Sequence, residues 1–525
     1  MKPTSLLALM AGFILSQAVS AANSDSTPNS FGPHGKNLSL PESAPEREAR
    51  HRKIAERRSG PIVIVHRGAS ALAPENTLEA YAAAMDHGAD GCEMDIRRTV
   101  DGMLVMLHDD GLDRMTEALG RINQYTYREL AGVSFRPIYG PNPETRIPKL
   151  AAVLELARHR AMLLHLDIKE PGLEQDIARL LDAADAWDQV VAVNEYNAAE
   201  LRKNPKLKLL TYKVSGLDEG RLDMDPDQVK GALAKPGNMI MVDDPRVAAR
   251  QLKRKPQPVP LPEHVNRNLP TEISSTLPDT NSFSPARYLR SLATRVDARS
   301  SHQLEALLTA DFPERTAPDG DAAYQRRRTA RILERAWAAQ KIGQLGVKSA
   351  RAIKLLEQQA AHRSLHRDWA YHGLDGVMAT RALGQLRAAE SVPFLAQTFF
   401  AIDPELKKLM TSPANYPYAW NDFRPKLEIV FALGEIRCDQ SKTFLLDYLA
   451  MDGATASKSS PPLFEAATRA LMAQDLTSDE LRHVLQSTNS AVRGAAILEC
   501  LDHPTASRRS CSRAVMPWIE DLVQN

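Results

Sequence analysis

Residues 61–110 read PIVIVHRGASALAPENTLEAYAAAMDHGADGCEMDIRRTVDGMLVMLHDD, and the fold follows from this stretch. Ile62–Val65 is a continuous apolar run, which predicts a strand buried on both faces of an α/β core. Asn76 or Thr77 is placed to cap the next helix. That helix passes through Ala80–Met85 and stops at Gly88, a residue suited to the position after a helix end. Gly91–Arg97 is a second strand and Met103–Leu107 a third. Asp101-Gly102 is a pair favoured in a two-residue type I′ turn. Such a turn sets Val100 opposite Met103, Thr99 opposite Leu104 and Asp95 opposite His108, with Cβ atoms of an opposed pair about 5 Å apart. A strand that doubles back does not belong in a regular parallel barrel. The expected fold is therefore a distorted TIM barrel with one antiparallel hairpin strand.

The strand ends carry the chemistry. Glu93 and Asp95 are spaced i,i+2 and share a face. Met162–Ile168 is another strand, and alternation puts His165, Asp167 and Lys169 on one side of it. Three carboxylates (Glu93, Asp95, Asp167) with no thiolate favour a hard divalent cation, Mg²⁺ or Ca²⁺. His66 and His108 titrate near neutral pH and are the acid–base candidates. Arg67 offers a fork of donors to phosphate oxygens, Gly68 lets the backbone approach closely, and Lys169 adds a point charge. Glu75 binds metal or water, or caps the helix entry. Glu195 follows the strand Val190–Val193 and either reaches the site or faces solvent. Each residue has a plainer reading. A lone histidine at a strand end is usually a satisfied polar group, and Lys169 alone is a surface ion pair worth at most about 1 kcal/mol. The ordered set is what points to metal-assisted attack on a phosphate ester.

The runs HRGASALAPENTLEAY (66–81) and GADGCEMDIRRTVDGMLVMLHDDGLDRMT (88–116) resemble the glycerophosphodiester phosphodiesterase family, across roughly Pro61 to Leu252. The resemblance implies an α/β barrel of the phospholipase C-like phosphodiesterase type. It implies hydrolysis of a small-molecule glycerophosphodiester to an alcohol and sn-glycerol 3-phosphate, with one divalent cation on Glu93, Asp95 and Asp167. The last position is usually glutamate in the family, so Asp167 is one methylene shorter. The family also implies that His108 protonates the leaving alcohol and that His66 activates the nucleophile, either water or the substrate's neighbouring hydroxyl. Two alternatives stand beside this one. One is a lysophospholipase D-type enzyme acting on lipids. The other is a catalytically weak barrel whose binding role lies in the helices that follow it.

Further strands are expected at Val190–Val193, Lys208–Tyr212 and Met239–Val242, seven in all. No strand is legible between Lys213 and Asn238, where the family usually has one ending in a tryptophan-threonine motif. Residues 109–147 are rich in turn formers and predict a small excursion over the barrel mouth. Residues 253–286 form a proline-rich linker. From 287 to 525 the pattern is all-α. A motif recurs at Ala339–Leu345, Ala382–Leu386 and Ala432–Ile436, with a fainter copy at Ala470-Leu471-Met472. The spacings resemble those of HEAT-type repeats, and such a domain suggests a protein partner or a cap on the barrel.

The N-terminus predicts a secretory leader over residues 1–21. Lys2 supplies the charge, Leu6–Leu15 the apolar stretch and Val19-Ser20-Ala21 the cleavage site. A secreted or periplasmic protein with no integral membrane segment after leader removal is expected. Residues 22–59 are polar and predict a disordered or weakly helical lead-in, within which His51-Arg52-Lys53 and Arg57-Arg58 read as a solvated charged face. The barrel is expected over 60–252. The chain of 525 residues is 43% hydrophobic and 25% charged with a net charge of +1, so no global field argues for a nucleic acid. There are four cysteines. Cys92 reads as a buried thiol, while Cys500 and Cys511 are close enough to pair.

Overall fold

The computed structural model describes residues 42–139, 144–194, 198–215, 226–234, 236–261, 283–314, 320–361, 364, 366, 368–401, 416–451 and 461–502. The first half is a curled sheet wrapped by helices. In chain order its elements are α1 (Ala44–Ser59), β1 (Ile62–Val65), α2 (Leu78–Asp86), β2 (Gly91–Arg98), β3 (Leu104–Met106), α3 (Tyr127–Leu130), α4 (Leu150–Arg160), β4 (Leu163–Ile168), α5 (Glu174–Ala184), β5 (Val190–Val193), α6 (Ala199–Arg202), β6 (Tyr212–Ser215), α7 (Pro226–Leu233), β7 (Met239–Val242) and α8 (Arg246–Gln251).

The strand order is β5-β4-β2-β1-β7-β6, with β3 attached to β2. Every pairing along that path is parallel. β1 and β2, β4 and β5, and β6 and β7 are neighbours in chain order and β7 returns to β1, so the sheet curls as a TIM-barrel-like half-barrel whose path ends at β5 and β6. Alternation explains both layers of the core. Val63 and Val65 face the helices, among Leu78, Tyr81 and Leu154. Ile62 and Ile64 turn inward with Leu163, Val191 and Met239.

Three expectations are sharpened or corrected. Of the two states expected for the lead-in, disordered or weakly helical, its described part takes the helical one. Ala44–Ser59 is a helix closed by a capping box between Ser43 and Glu46. It docks because Ile54 joins the inward-facing cluster of the barrel and Arg50 reaches Glu42 and the Asp185 carbonyl. Its charged cluster is only partly solvated: His51 binds Asp185 and Asp188, and Arg57 binds Asp90. Residues 1–41, which hold the expected leader, lie outside the described residues.

A strand does occupy the stretch that looked empty. β6 begins at Tyr212 and pairs with β7 through Tyr212–Met239, Val214–Ile240 and Ser215–Met241. The expected strand at Lys208–Tyr212 is displaced, and Leu210 N–H instead donates to the Val191 carbonyl (2.8 Å). The sequence Tyr-Lys-Val-Ser alternates, but over only four residues, too few to stand out as a strand.

The third correction concerns register. β3 pairs with β2 as Ile96–Met106, Arg97–Val105 and Arg98–Leu104, one residue away from the expected alignment. Asp95 therefore faces Leu107, whose N–H donates to its carbonyl (3.1 Å). The loop holds three residues, with Thr99 N–H on the Met103 carbonyl (2.9 Å) and Gly102 N–H on the Thr99 carbonyl (3.0 Å). The Asp101 carboxylate is drawn away to the Tyr127 N–H (3.0 Å).

The excursion that follows has its own small core of Leu112, Met115, Ile122, Tyr125, Tyr127 and Phe135. It lies between the barrel and the helices of the second half. These are α9 (Pro285–Arg295), α10 (Ser301–Thr309), α11 (Asp321–Leu345), α12 (Ala350–Ala361), α13 (Leu374–Gln385), α14 (Val392–Phe400), α15 (Tyr416–Ile436), α16 (Asp439–Ala450), α17 (Pro461–Met472), α18 (Ser478–Leu485) and α19 (Ser490–Asp502). Helices α11, α13, α15, α17 and α19 stack in chain order, each on the next. The recurring motif explains that row. A Cβ on Gly343 would meet Ala382 Cα at 2.8 Å, one on Gly384 would meet Ala432 Cα at 2.7 Å, and one on Gly434 would meet Ala470 Cβ at 2.8 Å. The glycine of each copy thus faces the alanine of the following copy.

Among the described residues, no helix is long and apolar enough to cross a membrane. Cys92 is buried. Cys511, the residue close enough in sequence to pair with Cys500, lies outside the described residues.

Candidate active site

The site sits where the parallel strands end. β1 stops at Val65, so His66 and Arg67 fall on the rim. Arg67 adopts φ 56° and Asn76 φ 57°, a left-handed conformation costing of order 1 kcal/mol or more that persists only where the surroundings enforce it. The surroundings are specific. Arg67 N–H donates to Glu93 Oε2 (3.0 Å), and Asn76 N–H donates to the Arg67 carbonyl (2.8 Å). Gly68 follows at φ 77°, and a Cβ there would lie 2.8 Å from the Ala80 carbonyl carbon. The helix entry is capped by Thr77, whose Oγ1 accepts from Ala80 N–H (3.1 Å).

The sheet register brings the acids together. Glu93 lies beside His165 and Asp95 beside Asp167 on adjacent parallel strands. One carboxylate oxygen from each of Glu93, Asp95 and Asp167 lies within 4.8 Å of the others. Glu93 and Asp95 are buried and Asp167 is half-buried, so the cluster opens on one side. An all-carboxylate donor set fits a hard divalent cation. Lys169 Nζ lies 2.8 Å from Asp95 Oδ1 and 2.5 Å from Asp167 Oδ2, and Arg67 Nε lies 3.4 Å from Asp95 Oδ2. Burial and then the Asp95 charge push Glu93 up to about 8. At Asp95 the effect of burial is outweighed by His108, Arg67 and Lys169, which hold its carboxyl well below the usual range.

The two histidines flank this cluster. His66 Nδ1 lies 2.9 Å from Asp243 Oδ1, just past β7. A carboxylate only accepts, so Nδ1 carries the proton and Nε2 is left for chemistry. Burial and Arg67 push the His66 pKa down, but Asp243 and Glu93 prevail and raise it. His108 Nδ1 lies 2.7 Å from Asp109 Oδ1. Its pKa is lowered, by burial and then by Arg67, against the pull of Asp95 and Asp109. Arg97 fixes the backbone there by donating to the His108 carbonyl through Nε (2.9 Å) and Nη2 (2.6 Å).

Glu75 is not in the acidic cluster. It accepts from Arg114 Nη2 (2.5 Å) and Arg67 Nη1 (3.3 Å). Although burial opposes it, the charges of Arg114 and Arg67 bring Glu75 down to about 2. Glu195 lies outside the described residues. His66, Arg67, Glu75, Glu93, Asp95, His108, Asp167 and Lys169 are thus brought to one mouth.

Sequence reasoning passed over the groups that hold them. Asn76 donates from Nδ2 to Asp95 Oδ2 (2.6 Å), while its Oδ1 accepts from Asp95 N–H (3.1 Å) and Tyr81 Oη (2.8 Å). Asp243, Asp109 and Arg114 complete the frame. Only Asp109, adjacent to His108, carried a local signal.

The glycerophosphoryl diester phosphodiesterase family model matches residues 66–215. A glycerophosphodiester phosphodiesterase from Caldanaerobacter subterraneus subsp. tengcongensis is 34% identical over 170 residues, spanning 30% of this chain and 69% of that protein. One from Bacillus altitudinis is 31% identical over 164 residues, spanning 29% of this chain and 67% of that protein. A crystal structure of a glycerophosphodiester phosphodiesterase from Agrobacterium tumefaciens aligns at 21% identity and a TM-score of 0.31, covering 36% of this chain and 98% of that one. The family match over residues 66–215 and the two relatives, with the parallel winding of the sheet, make the first half a TIM-barrel-like enzyme domain. The chain belongs to the glycerophosphodiester phosphodiesterase family.

Proposed function

We propose that this enzyme is exported and hydrolyses glycerophosphodiesters to an alcohol and sn-glycerol 3-phosphate, dependent on one divalent cation, Mg²⁺ or Ca²⁺. The observation that carries the reading is the convergence of Glu93, Asp95 and Asp167 within 4.8 Å, between His66 on one strand end and His108 on another. A cation there would neutralise those carboxylates, including the charge that favours protonated His66, and would offset charge on the nonbridging oxygens.

The residues themselves supply binding and proton transfer. Arg67 binds the diester anion through a guanidinium already oriented by Glu75 and Asp95. An anion at Arg67 cancels the positive charge that depresses His108, and so returns His108 toward its protonated form. His66 Nε2 takes the proton of the attacking hydroxyl, from water or from the substrate. As the phosphorus–oxygen bond to the alcohol breaks, His108 Nε2 gives its proton to the departing oxygen. When water attacks, one diester and one water give one alcohol and one phosphomonoester; when the substrate's hydroxyl attacks, the alcohol leaves with a cyclic phosphodiester, which one water then opens to the same phosphomonoester. We read the stacked helices as HEAT-type repeats that brace the excursion over this mouth.

The test is hydrolysis of glycerophosphoethanolamine by wild type, His66→Ala and His108→Ala, with and without chelator. We expect each substitution to lower kcat by at least about 10² and the chelator to abolish turnover until Mg²⁺ or Ca²⁺ is restored. Unchanged rates in all arms would end the proposal. Export is checked separately by the mass of the N-terminus of protein recovered from outside the cytoplasm.

A further inference from the structure

Glu428 lies on α15 in the helical half, far in sequence from any strand end. It is buried between two guanidinium groups. Arg136 of the excursion donates to it from Nη2 (2.7 Å, to Oε1) and Nη1 (3.0 Å, to Oε2). Arg381 of α13 donates from Nε and Nη2, each at 3.1 Å. The three side chains are 5% exposed or less. A buried charge array of this kind costs desolvation and is weak evidence for stability by itself, so the orientation it imposes is what matters.

Both arginines use remaining donors on two consecutive carbonyls of the excursion. Arg381 Nη2 donates to the Asp113 carbonyl (2.7 Å), and Arg136 Nη1 donates to the Arg114 carbonyl (3.2 Å). Arg424, one helical turn before Glu428, holds the Asp113 carboxylate (Nη2, 2.5 Å). Asp113 is thus held directly from the helical half, and the Arg114 carbonyl by Arg136, which Glu428 of that half binds.

Arg114 faces the opposite way, into the site. Its Nε donates to Asp109 Oδ2 (2.5 Å) and its Nη2 to Glu75 Oε1 (2.5 Å). The other oxygen of Asp109 lies on His108 Nδ1 (2.7 Å), and Glu75 accepts from Arg67 (3.3 Å). Two sets of charge-assisted bonds, joined through the covalent frame of Arg114, therefore lead from α15 to the imidazole and to the guanidinium.

We infer that Glu428 is a positioning residue for His108, so that the helical half aligns the proton donor of the barrel through Arg136, Arg381 and the 113–114 backbone. This rests on the role given above to His108. Misalignment of a proton donor penalises substrates whose leaving group needs the proton and spares those whose leaving group departs as a stable anion.

The experiment compares two diesters that share the glycerol 3-phosphate part, one esterified to ethanolamine and one to p-nitrophenol. The full-length proteins are wild type, His108→Ala, Glu428→Gln and Arg424→Lys. Glu428→Gln keeps the shape and one acceptor, and thermal unfolding is recorded for every variant. Should Glu428→Gln fail to fold, the milder Arg424→Lys is judged by the same criterion. We expect Glu428→Gln to lower kcat on the ethanolamine ester about 10-fold or more and on the nitrophenyl ester by no more than about 2-fold, with KM little changed, as a weaker form of the His108→Ala pattern. Equal losses on both esters, or no loss on either, would overturn the inference. If His108→Ala itself fails to discriminate between the esters, the fault lies with the role of His108, and the inference falls with it.

Discussion

At the scale of the residue, the site depends on partners that turn generic side chains into directed ones. Asp243 is the clearest case, because it fixes which nitrogen of His66 is available and helps raise its pKa. A base must be deprotonated to act. Replacing Asp243 by Asn removes the raising charge, so the acid limb of the pH–kcat/KM profile should move to lower pH. At the same time kcat should fall by about 10- to 100-fold, since the amide can hold the wrong tautomer. A profile unmoved on its acid side would show that Asp243 does not act through His66. The candidate groups were legible in the sequence because His-Arg-Gly, Glu-x-Asp and His-Asp sit at strand ends in a chemically coherent order. Their holders were not. Asn76 read as a cap, and its bonds to Asp95 and Tyr81 exist only because two strands and a helix meet. Asp243 is 177 residues from His66, a distance that no local pattern spans.

At the scale of the element, continuous apolar runs such as Ile62–Val65 and Val190–Val193 declared themselves, because burial on both faces leaves no ambiguity. The hairpin register and β6 did not. A three-residue loop shifts every pairing of the ladder by one residue relative to a two-residue loop, and its contacts, Asp101 to Tyr127 N–H and Thr99 Oγ1 to Met103 N–H, involve side chains that a turn motif does not weigh. The glycine–alanine motif was visible as a repeat, but its meaning is spatial. Gly384→Ala would gain up to about 1 kcal/mol in helix propensity, yet its Cβ would lie 2.7 Å from Ala432 Cα, a backbone atom that cannot swing aside. Overpacking of this kind costs about 1–3 kcal/mol. We expect net destabilisation, read as a lower denaturant midpoint at unchanged slope, and a midpoint at or above wild type would contradict the packing account.

At the scale of the whole molecule, the two halves meet through buried charge, and this leaves a pH signature. Burial and then the neighbouring Glu428 charge push Glu435 up to about 7 from an ordinary 4.5. The unfolded chain releases that proton near 4.5 while the folded protein holds it to about 7. Over that window the folded state binds more protons, so stability falls as pH rises and stays lower above it. Glu435→Gln removes the contribution. Denaturant midpoints at pH 5 and pH 8 should therefore fall less with pH in the variant than in wild type. Identical slopes in the two proteins would mean that Glu435 ionises normally in the fold.

The helix α1 carries one more implication. The family match opens at His66, but Ile54 already corks the floor of the barrel. Trimming the gene to the matched boundary would uncork it, wetting the undersides of Ile62, Leu163 and Met239 and presenting a sticky hollow to neighbouring molecules. The shortest piece worth expressing thus begins upstream of Ser43, and solubility lost on cutting back to Gly60 would be a fault of the cut rather than of the catalytic half.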